Sequence, residues 1–416
     1  MQADSANSSR IAALIAARRP GFSLERDFYF DPSVYRLDIE TIWRRDWLFA
    51  GHSCEAARPG DFFAFELDGD PLLIVRGDDG TLRALHNVCR HRGSILCEAA
   101  SGRVGRLVCP YHQWTYGRDG ALVAARGMPA DFDRAGYSLA EAHLRELQGL
   151  VFVCLAEEPP DFEPAAAALA PLLKPQGFGR AKVAAAVDYD VEGNWKLVWE
   201  NNRECYHCDA NHPEYIQANF DRYNADDATP RIRNALAAAV ARSEAKWAEL
   251  GLAATHREPG MVAFPDGGVW YSANRTPLVE GFVSETLDGQ RVAPLMGDYP
   301  DADVGTLRIR ALPNFWNHSS CDHGVSTRLL PAGPERTRVR VTWLVDEDAE
   351  EGRDYQPETL LPFWRLTSEQ DWAIVANAGR GVASRAYRPG PFSTVKEYNV
   401  EAFVRWYLGR VASGLG

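Results

Sequence analysis

Two short cysteine–histidine pairs constrain this chain more than any other feature of its sequence. The segment from Asn87 to Gly117 reads NVCRHRGSILCEAASGRVGRLVCPYHQWTYG, which sets Cys89-x-His91 seventeen residues ahead of Cys109-x-x-His112. Each half offers one thiolate and one imidazole from a short loop with strand-like sequence around it. Two thiolates on one iron and two neutral imidazoles on the other form a ligand set for a [2Fe–2S] centre, and exchanging thiolates for imidazoles raises its reduction potential. A zinc ion takes the same ligand types. Zinc motifs usually pair Cys with Cys and His with His along the chain, however, and here the two alternate. Cys97, between the halves, has no partner at ligand spacing and reads as core, as does His86.

The sequence around these loops reads as β from Asp61 to about Leu155. Pro71 to Arg76 and Leu150 to Leu155 are short apolar strands, and Asp79-Gly80 and Asp119-Gly120 are hairpin signals. The stretch EEPPDFEP, Glu157 to Pro164, is a boundary loop because its prolines break regular structure. An Ala/Leu-rich helical stretch follows, then a strand-like run from Val183 to Val191 and a helix from Trp195 to His207. Gly268 to about Val345 returns to β character. A long helix spans about Pro357 to Ala378, and residues 394–411 carry Phe403, Trp406 and Tyr407 at helical spacing. The class is α+β.

The formal charge of −12 over 416 residues argues against a nucleic-acid partner, since phosphate binding needs a basic face. No apolar run approaches the length of a membrane span. The N-terminal apolar run Ile11 to Ala17 is short, is closed by Arg18 and Arg19, and lacks the layout of a signal peptide; a cytoplasmic location is expected. The eight cysteines are too sparse for a disulfide scaffold.

A second constellation runs from Asn194 to Pro213 and contains His207 and His212. Two histidines five residues apart are weak evidence by themselves. Two His and one carboxylate on one face, however, hold iron while leaving positions open. Acids are plentiful, and spacing alone does not select the third ligand. Asp371 sits in a helical stretch among Trp364, Leu366, Trp372, Ile374 and Val375, where an unpaired charge is costly. Glu369 competes with it.

Taken together, Cys89-x-His91…Cys-Pro-Tyr-His-Gln-Trp, the His207/His212 pair and the late Asp371 resemble the Rieske non-haem iron oxygenases, the family of aromatic-ring-hydroxylating dioxygenase α subunits. The resemblance implies that Cys89, His91, Cys109 and His112 bind the cluster and that His207, His212 and Asp371 bind a mononuclear Fe(II). It implies a β-rich Rieske domain at 46–160 and a helix-grip (START-like) catalytic domain with an antiparallel sheet at 161–416. Residues 1–45 would form a helical segment packing on the catalytic domain. The family usually forms a homotrimer in which the cluster of one subunit serves the iron of the next. Glu204 stands at the position of the carboxylate that would bridge His112 of the adjacent subunit and its own His207, where most ring-hydroxylating members have Asp.

That Glu, the string Glu204-Cys205-Tyr206-His207-Cys208, and Tyr387 to Ser393 resemble the branch acting on quaternary ammonium compounds, which includes glycine betaine, stachydrine and carnitine monooxygenases. Ala376-Asn377-Ala378-Gly379 departs from that branch, where an acidic, Gln-containing stretch is common. A cationic substrate would be held by aromatic faces, for which Trp270, Tyr271, Phe315 and Trp316 are candidates; His318, Asn317 and His323 are candidates to orient a substrate carboxylate. No flavin or nicotinamide fingerprint is evident, so a separate NAD(P)H-dependent flavin/iron–sulfur reductase would supply electrons for O2 chemistry. The rival readings are an aromatic-ring dioxygenase, a non-catalytic electron carrier or redox sensor using the cluster alone, and a zinc-stabilised ligand-binding protein.

Overall fold

The computed structural model describes residues 2–221, 229–253 and 269–415, with side chains from residue 7 onward; Gly268, where the second β-rich stretch was expected to begin, lies outside them. The chain divides into two compact units. One comprises Arg44–Phe162 and Phe178–Arg180; the other comprises Met1–Trp43, Glu163–Gly177 and Ala181–Gly416.

In the first unit the strands are β1 (Leu48–His52), β2 (Asp61–Leu67), β3 (Asp70–Arg76), β4 (Leu82–His86) and β5 (Ser101–Arg103), then β6 (Leu107–Val108), β7 (Thr115–Tyr116), β8 (Leu122–Ala124), β9 (Glu141–Leu147) and β10 (Leu150–Cys154). Seven form an antiparallel sheet in the order β1-β10-β9-β4-β3-β2-β5, and β6-β7-β8 form a smaller one. Both Asp-Gly pairs turn the chain as their chemistry requires. Gly80 and Gly120 adopt φ of 77° and 82°, a conformation open to glycine at little cost. Apolar side chains from both sheets, including Phe62, Leu73, Val75, Leu85, Leu107, Trp114 and Tyr116, pack into one core, and Cys89 and Cys109 belong to it.

The second unit holds a six-stranded antiparallel sheet in the order β11-β16-β15-β14-β13-β12. Its strands are β11 (Ala181–Val191), β12 (Tyr271–Thr276), β13 (Thr306–Ala311), β14 (Phe315–Ser319), β15 (Gly324–Pro331) and β16 (Thr337–Asp346). Register pairs Arg310 with Trp316, Trp316 with Thr327, and Arg308 with His318. Directly opposed residues share a sheet face, so these five side chains point the same way. Leu307, Ile309, Phe315 and Asn317 point the other way.

Helices Trp195–Asn202, Pro362–Ala383 and Tyr398–Ser413 belong to the same unit. A Cβ added at Gly193 would lie 2.7 Å from Val375 Cγ1, and one at Gly379 would lie 3.3 Å from the Glu192 carbonyl. These two glycines therefore let the long helix seat closely where β11 leads into Trp195–Asn202. Gly379 belongs to the stretch that departs from the quaternary-ammonium branch.

Two helix boundaries differ from the sequence expectation. The helix starting at Trp195 ends at Asn202 rather than His207, because the Glu204 carboxylate accepts the backbone N–H groups of Tyr206 and His207 and competes with helical bonding. The helical stretch from Pro357 is broken into Pro357–Leu360 and Pro362–Ala383, at a proline with no N–H to donate.

The helix Trp195–Asn202 is anchored through a buried ion pair. Lys196 Nζ donates to Asp38, and both side chains are fully buried. Burial pushes the Asp38 carboxyl up and the Lys196 ammonium down, each opposed by the charge of the other. The remaining capacity of Asp38 is met by Trp195 Nε1 at 3.1 Å and Tyr407 OH at 2.9 Å. A buried pair needs such completion to offset its desolvation.

Candidate metal centres and substrate cavity

The two cysteine–histidine loops are built alike. Cys89 N–H donates to the Ser94 carbonyl at 2.8 Å and Gly93 N–H to the Cys89 carbonyl at 3.0 Å. In the second loop Cys109 N–H donates to the Trp114 carbonyl at 2.8 Å and Gln113 N–H to the Cys109 carbonyl at 3.0 Å. Gly93 and Gln113, four residues after their cysteines, both have positive φ, 72° and 61°. For Gln113 this is an uncommon conformation.

The loops bring all four proposed ligands together with the sulfurs inward and the imidazoles outward. Cys89 and Cys109 are each 2% exposed, His91 is exposed and His112 half-buried. The two imidazole centroids lie 4.7 Å apart, and His91 stacks on Trp114. Burial pushes the Cys109 thiol up, but the backbone N–H groups of Tyr111 and His112, together with the Cys89 and Ser94 side chains, more than compensate and hold it below the usual thiol range. Tyr116 OH lies 3.3 Å from Cys89 Sγ and accepts Arg90 N–H at 3.0 Å. His112 Nδ1 is buried and has no hydrogen-bond partner. A low-lying thiol and a covered imidazole nitrogen without a partner fit a ligand set facing a cluster.

In the other unit, His207 and His212 follow the end of helix Trp195–Asn202, and Asp371 comes from mid-helix in Pro362–Ala383. Asp371 Oδ1 lies 3.2 Å from His207 Nε2 and 3.0 Å from His212 Nε2. Three ligand atoms at right angles around an ion bonded at about 2.1 Å would lie about 3 Å apart. The far nitrogens are held as well: His207 Nδ1 bonds Glu204 Oε1 at 2.6 Å, and His212 Nδ1 bonds Gln370 Oε1 at 2.6 Å. Both acceptors call for Nδ1–H, which leaves both Nε2 lone pairs directed at the common point.

Burial lowers the affinity of His207 for a proton, but Asp371 and Glu204 together push it up to about 10. The same balance raises His212. Burial raises Asp371, and its two histidine partners bring it below the usual range. The centre is built to hold a cation.

The competing candidates fall away in the structure. Glu369 is exposed and bonds Arg365 Nε at 2.9 Å along the helix surface. Cys208 Sγ lies 4.0 Å from His207 Nε2 but is joined to Cys205 in a disulfide, so it offers no thiolate. Its neighbours at the centre are the two histidines of a three-residue group of potential ligand atoms.

A cavity open to solvent adjoins this centre. Among the described residues its walls include Trp316, Trp364, Trp372, His318, Arg310 and Thr327 as well as His207, His212 and Asp371. Trp316 and His318 therefore stand in the wall. Phe315, one residue from Trp316, points to the opposite sheet face and is fully buried. Trp270 and Tyr271 pack edge to face at 5.4 Å where the outermost strand begins and are not among the described lining residues. Asn317 is taken up by Ser326 Oγ and the Val325 carbonyl, and His323 by Asp322. Sequence reasoning passed over Gln370, Trp364 and Arg310. The first is flagged by adjacency to Asp371, and the last by the alternation Leu307-Arg308-Ile309-Arg310 in a fully buried strand.

Residues 46–142 match the Rieske [2Fe-2S] domain, and residues 178–413 match the ring hydroxylating alpha subunit (catalytic domain). The chain is 42% identical over 406 residues to the glycine betaine monooxygenase oxygenase subunit of Chromohalobacter salexigens, covering 97% of this chain and 89% of that one. It is 38% identical to the subunit of the same name from Pseudomonas aeruginosa PAO1, over 97% and 92% of the two chains. The solved quaternary ammonium Rieske monooxygenase CntA in complex with L-carnitine superposes with a TM-score of 0.69 over 95% of this chain and 97% of that one, at 22% identity. The chain belongs to the Rieske-type ring-hydroxylating oxygenase α-subunit family and is an oxidoreductase with a [2Fe–2S] Rieske cluster and a mononuclear iron.

Proposed function

We propose that this chain is the oxygenase component of a monooxygenase that hydroxylates an N-methyl group of a small quaternary ammonium compound. The observation that carries the reading is the convergence of His207 Nε2, His212 Nε2 and Asp371 Oδ1 at a cavity walled by Trp316, Trp364 and Trp372. The names of the relatives, glycine betaine monooxygenase oxygenase subunits, support it.

Cys89, His91, Cys109 and His112 would hold the cluster; His207, His212 and Asp371 would hold the iron. When bound, the two groups supply one-electron transfer and dioxygen activation. Glu204, Gln370 and the buried Lys196–Asp38 pair keep the histidines in one tautomer and one place. The tryptophan faces attract a permanent cation, at about 1–2 kcal/mol per desolvated face, and exclude water from the methyl group to be oxidised. Overall, the N-methyl carbon gains one oxygen atom from O2, and the other leaves as water at the cost of two electrons and two protons. The resulting N-hydroxymethyl group loses formaldehyde and a proton to give the tertiary amine.

Electrons would come from a separate NAD(P)H reductase. Glu204 would bridge its own His207 to His112 of the partner subunit in a head-to-tail trimer. The exposed Ile95, Val108 and Tyr111 near the cluster loops and Tyr206 beside Glu204 are surfaces such an assembly would cover. Among the described residues no helix is long and apolar enough to cross a membrane, and a cytoplasmic location is consistent with that.

The test is formaldehyde release from a betaine, dependent on O2, NADH and reductase, with one labelled oxygen atom incorporated per turnover. Incorporation of both atoms into an aromatic substrate, with no formaldehyde from any betaine, would replace this reading with ring dioxygenation.

A further inference from the structure

Arg310 stands apart from the other buried arginines of the catalytic sheet. Arg308, two residues earlier on the same face, donates to Asp221 Oδ2 at 2.6 Å and Asn219 Oδ1 at 2.8 Å. Arg275 donates to the Val304 carbonyl and to Tyr299 OH, each at 2.9 Å. Arg310 is 7% exposed, lines the cavity, and has no side-chain hydrogen bond or ion pair among the described residues. Its Nε is buried without a partner, as are those of Arg308 and Arg275; what sets Arg310 apart is that its terminal nitrogens, unlike theirs, make no bond to a described residue. Asp221, whose field reaches it, is already bonded by Arg308 and Tyr215. Burial, aided by the Arg308 charge, pushes Arg310 down only to about 10, so it stays cationic at neutral pH. A buried cation with no counterion is costly to keep, and a guanidinium offers a fork of donors matched to a carboxylate.

We infer that Arg310 is the anchor for a substrate carboxylate, so that the cavity selects a zwitterion over a simple cation. The inference rests on the proposed function and deepens it. Arg310 is the register partner of Trp316, and opposed side chains on one sheet face are close neighbours. A ligand with its quaternary nitrogen on Trp316 and its carboxylate on Arg310 therefore has a short spacer between the two charges. His318, on the same face, does not compete for the carboxylate. Burial pushes it down to about 4, which leaves it neutral, and its Nδ1 lies 3.8 Å from Glu285 Oε1.

The experiment is calorimetric binding to iron-loaded holoenzyme of two matched pairs: trimethylammonioacetate against its methyl ester, and benzoate against benzamide. Wild type is expected to bind trimethylammonioacetate roughly 30-fold or more tightly than the ester, and Arg310→Gln to bind the two alike. Arg310→Lys should keep part of the preference, because it retains the charge but not the fork. Unchanged iron and sulfide content reports intact folding of the variants. If Arg310→Gln fails to hold its metals, the same ratio in Arg310→Lys decides, a full wild-type preference there overturning the inference. Full preference in Arg310→Gln, or none in wild type, overturns the carboxylate anchor while leaving a quaternary-ammonium site intact. If wild type binds neither trimethylammonio compound yet prefers benzoate to benzamide, and Arg310→Gln loses that preference, the anchor stands and the quaternary-ammonium reading falls.

Discussion

His212 Nδ1 is bonded to Gln370 Oε1 at 2.6 Å, while its Nε2 lies 3.0 Å from Oδ1 of the next residue, Asp371. One turn of helix thus holds both ends of a single imidazole: Gln370 sets the tautomer and Asp371 faces the proposed metal position. Removing the acceptor releases the ring without touching a ligand. Gln370→Leu is expected to lower iron affinity by about 10- to 100-fold while the cluster remains fully loaded. Iron and acid-labile sulfide analysis after dialysis against a weak chelator checks this; unchanged iron retention would show that packing alone orients His212.

Glu204 makes the corresponding bond to His207 Nδ1, also at 2.6 Å, but its proposed role is additional. In Glu204→Gln both metal centres should still load, while oxidation of the pre-reduced cluster by O2 and substrate slows on the order of 100-fold. Glu204→Asp should fall between. Single-turnover stopped-flow absorbance of the cluster measures this directly. A rate equal to wild type in Glu204→Gln would remove the carboxylate from the electron path.

With Cys89 as a cluster ligand, as proposed, the bond between Tyr116 OH and Cys89 Sγ would stabilise the reduced, more negative cluster more than the oxidised one. A differential interaction of about 1 kcal/mol corresponds to roughly 40 mV for one electron. Tyr116→Phe should therefore lower the cluster potential by a few tens of mV, readable by protein-film voltammetry. A potential that does not move would mean that the hydroxyl serves only Arg90 N–H.

Glu200 is half-buried on the helix that leads to the proposed iron site, and accepts a bond from Tyr29 OH at 2.8 Å. Burial pushes its carboxyl up to about 7. The folded protein then binds more protons than the unfolded chain between about pH 4.5 and 7, so this group's contribution to stability is full below about 4.5 and is lost as pH rises through 7. Glu200→Gln keeps an acceptor for Tyr29 and has no charge to bury. It should be more stable than wild type at pH 8, by up to about 3 kcal/mol, with the difference vanishing near pH 4.5. Urea denaturation of metal-free protein at the two pH values tests the sign.

How much of this was legible in the sequence follows from how far apart the cooperating residues are. The proposed cluster ligands lie in one contiguous segment with turn chemistry around them, so residue type and spacing pointed to them. His207 and His212 are also local, but Asp371 lies 159 residues beyond His212, and no spacing rule reaches that far; family resemblance selected it over Glu369. The substrate wall was the least legible part. Which of Phe315 and Trp316 faces the cavity depends on strand register, and a shift of one residue exchanges the two faces. Arg310 was passed over because its significance is the absence of a partner, and only the folded arrangement shows that the terminal nitrogens of Arg308 are bonded while those of Arg310 meet no partner among the described residues. The helix from Trp195 was drawn too long because a side chain, Glu204, captures the amides that would have continued it.

Asp38 holds Lys196 with one oxygen and Tyr407 with the other, and this ties the order of events during synthesis to the order of the sequence. A chain emerging from the ribosome exposes Asp38 and Lys196 long before Tyr407, and sealing that ion pair away from water must wait for its last donor. The set of partners that anchors the helix leading to His207 is therefore complete only once residue 407 is part of the chain, and Asp371 precedes it.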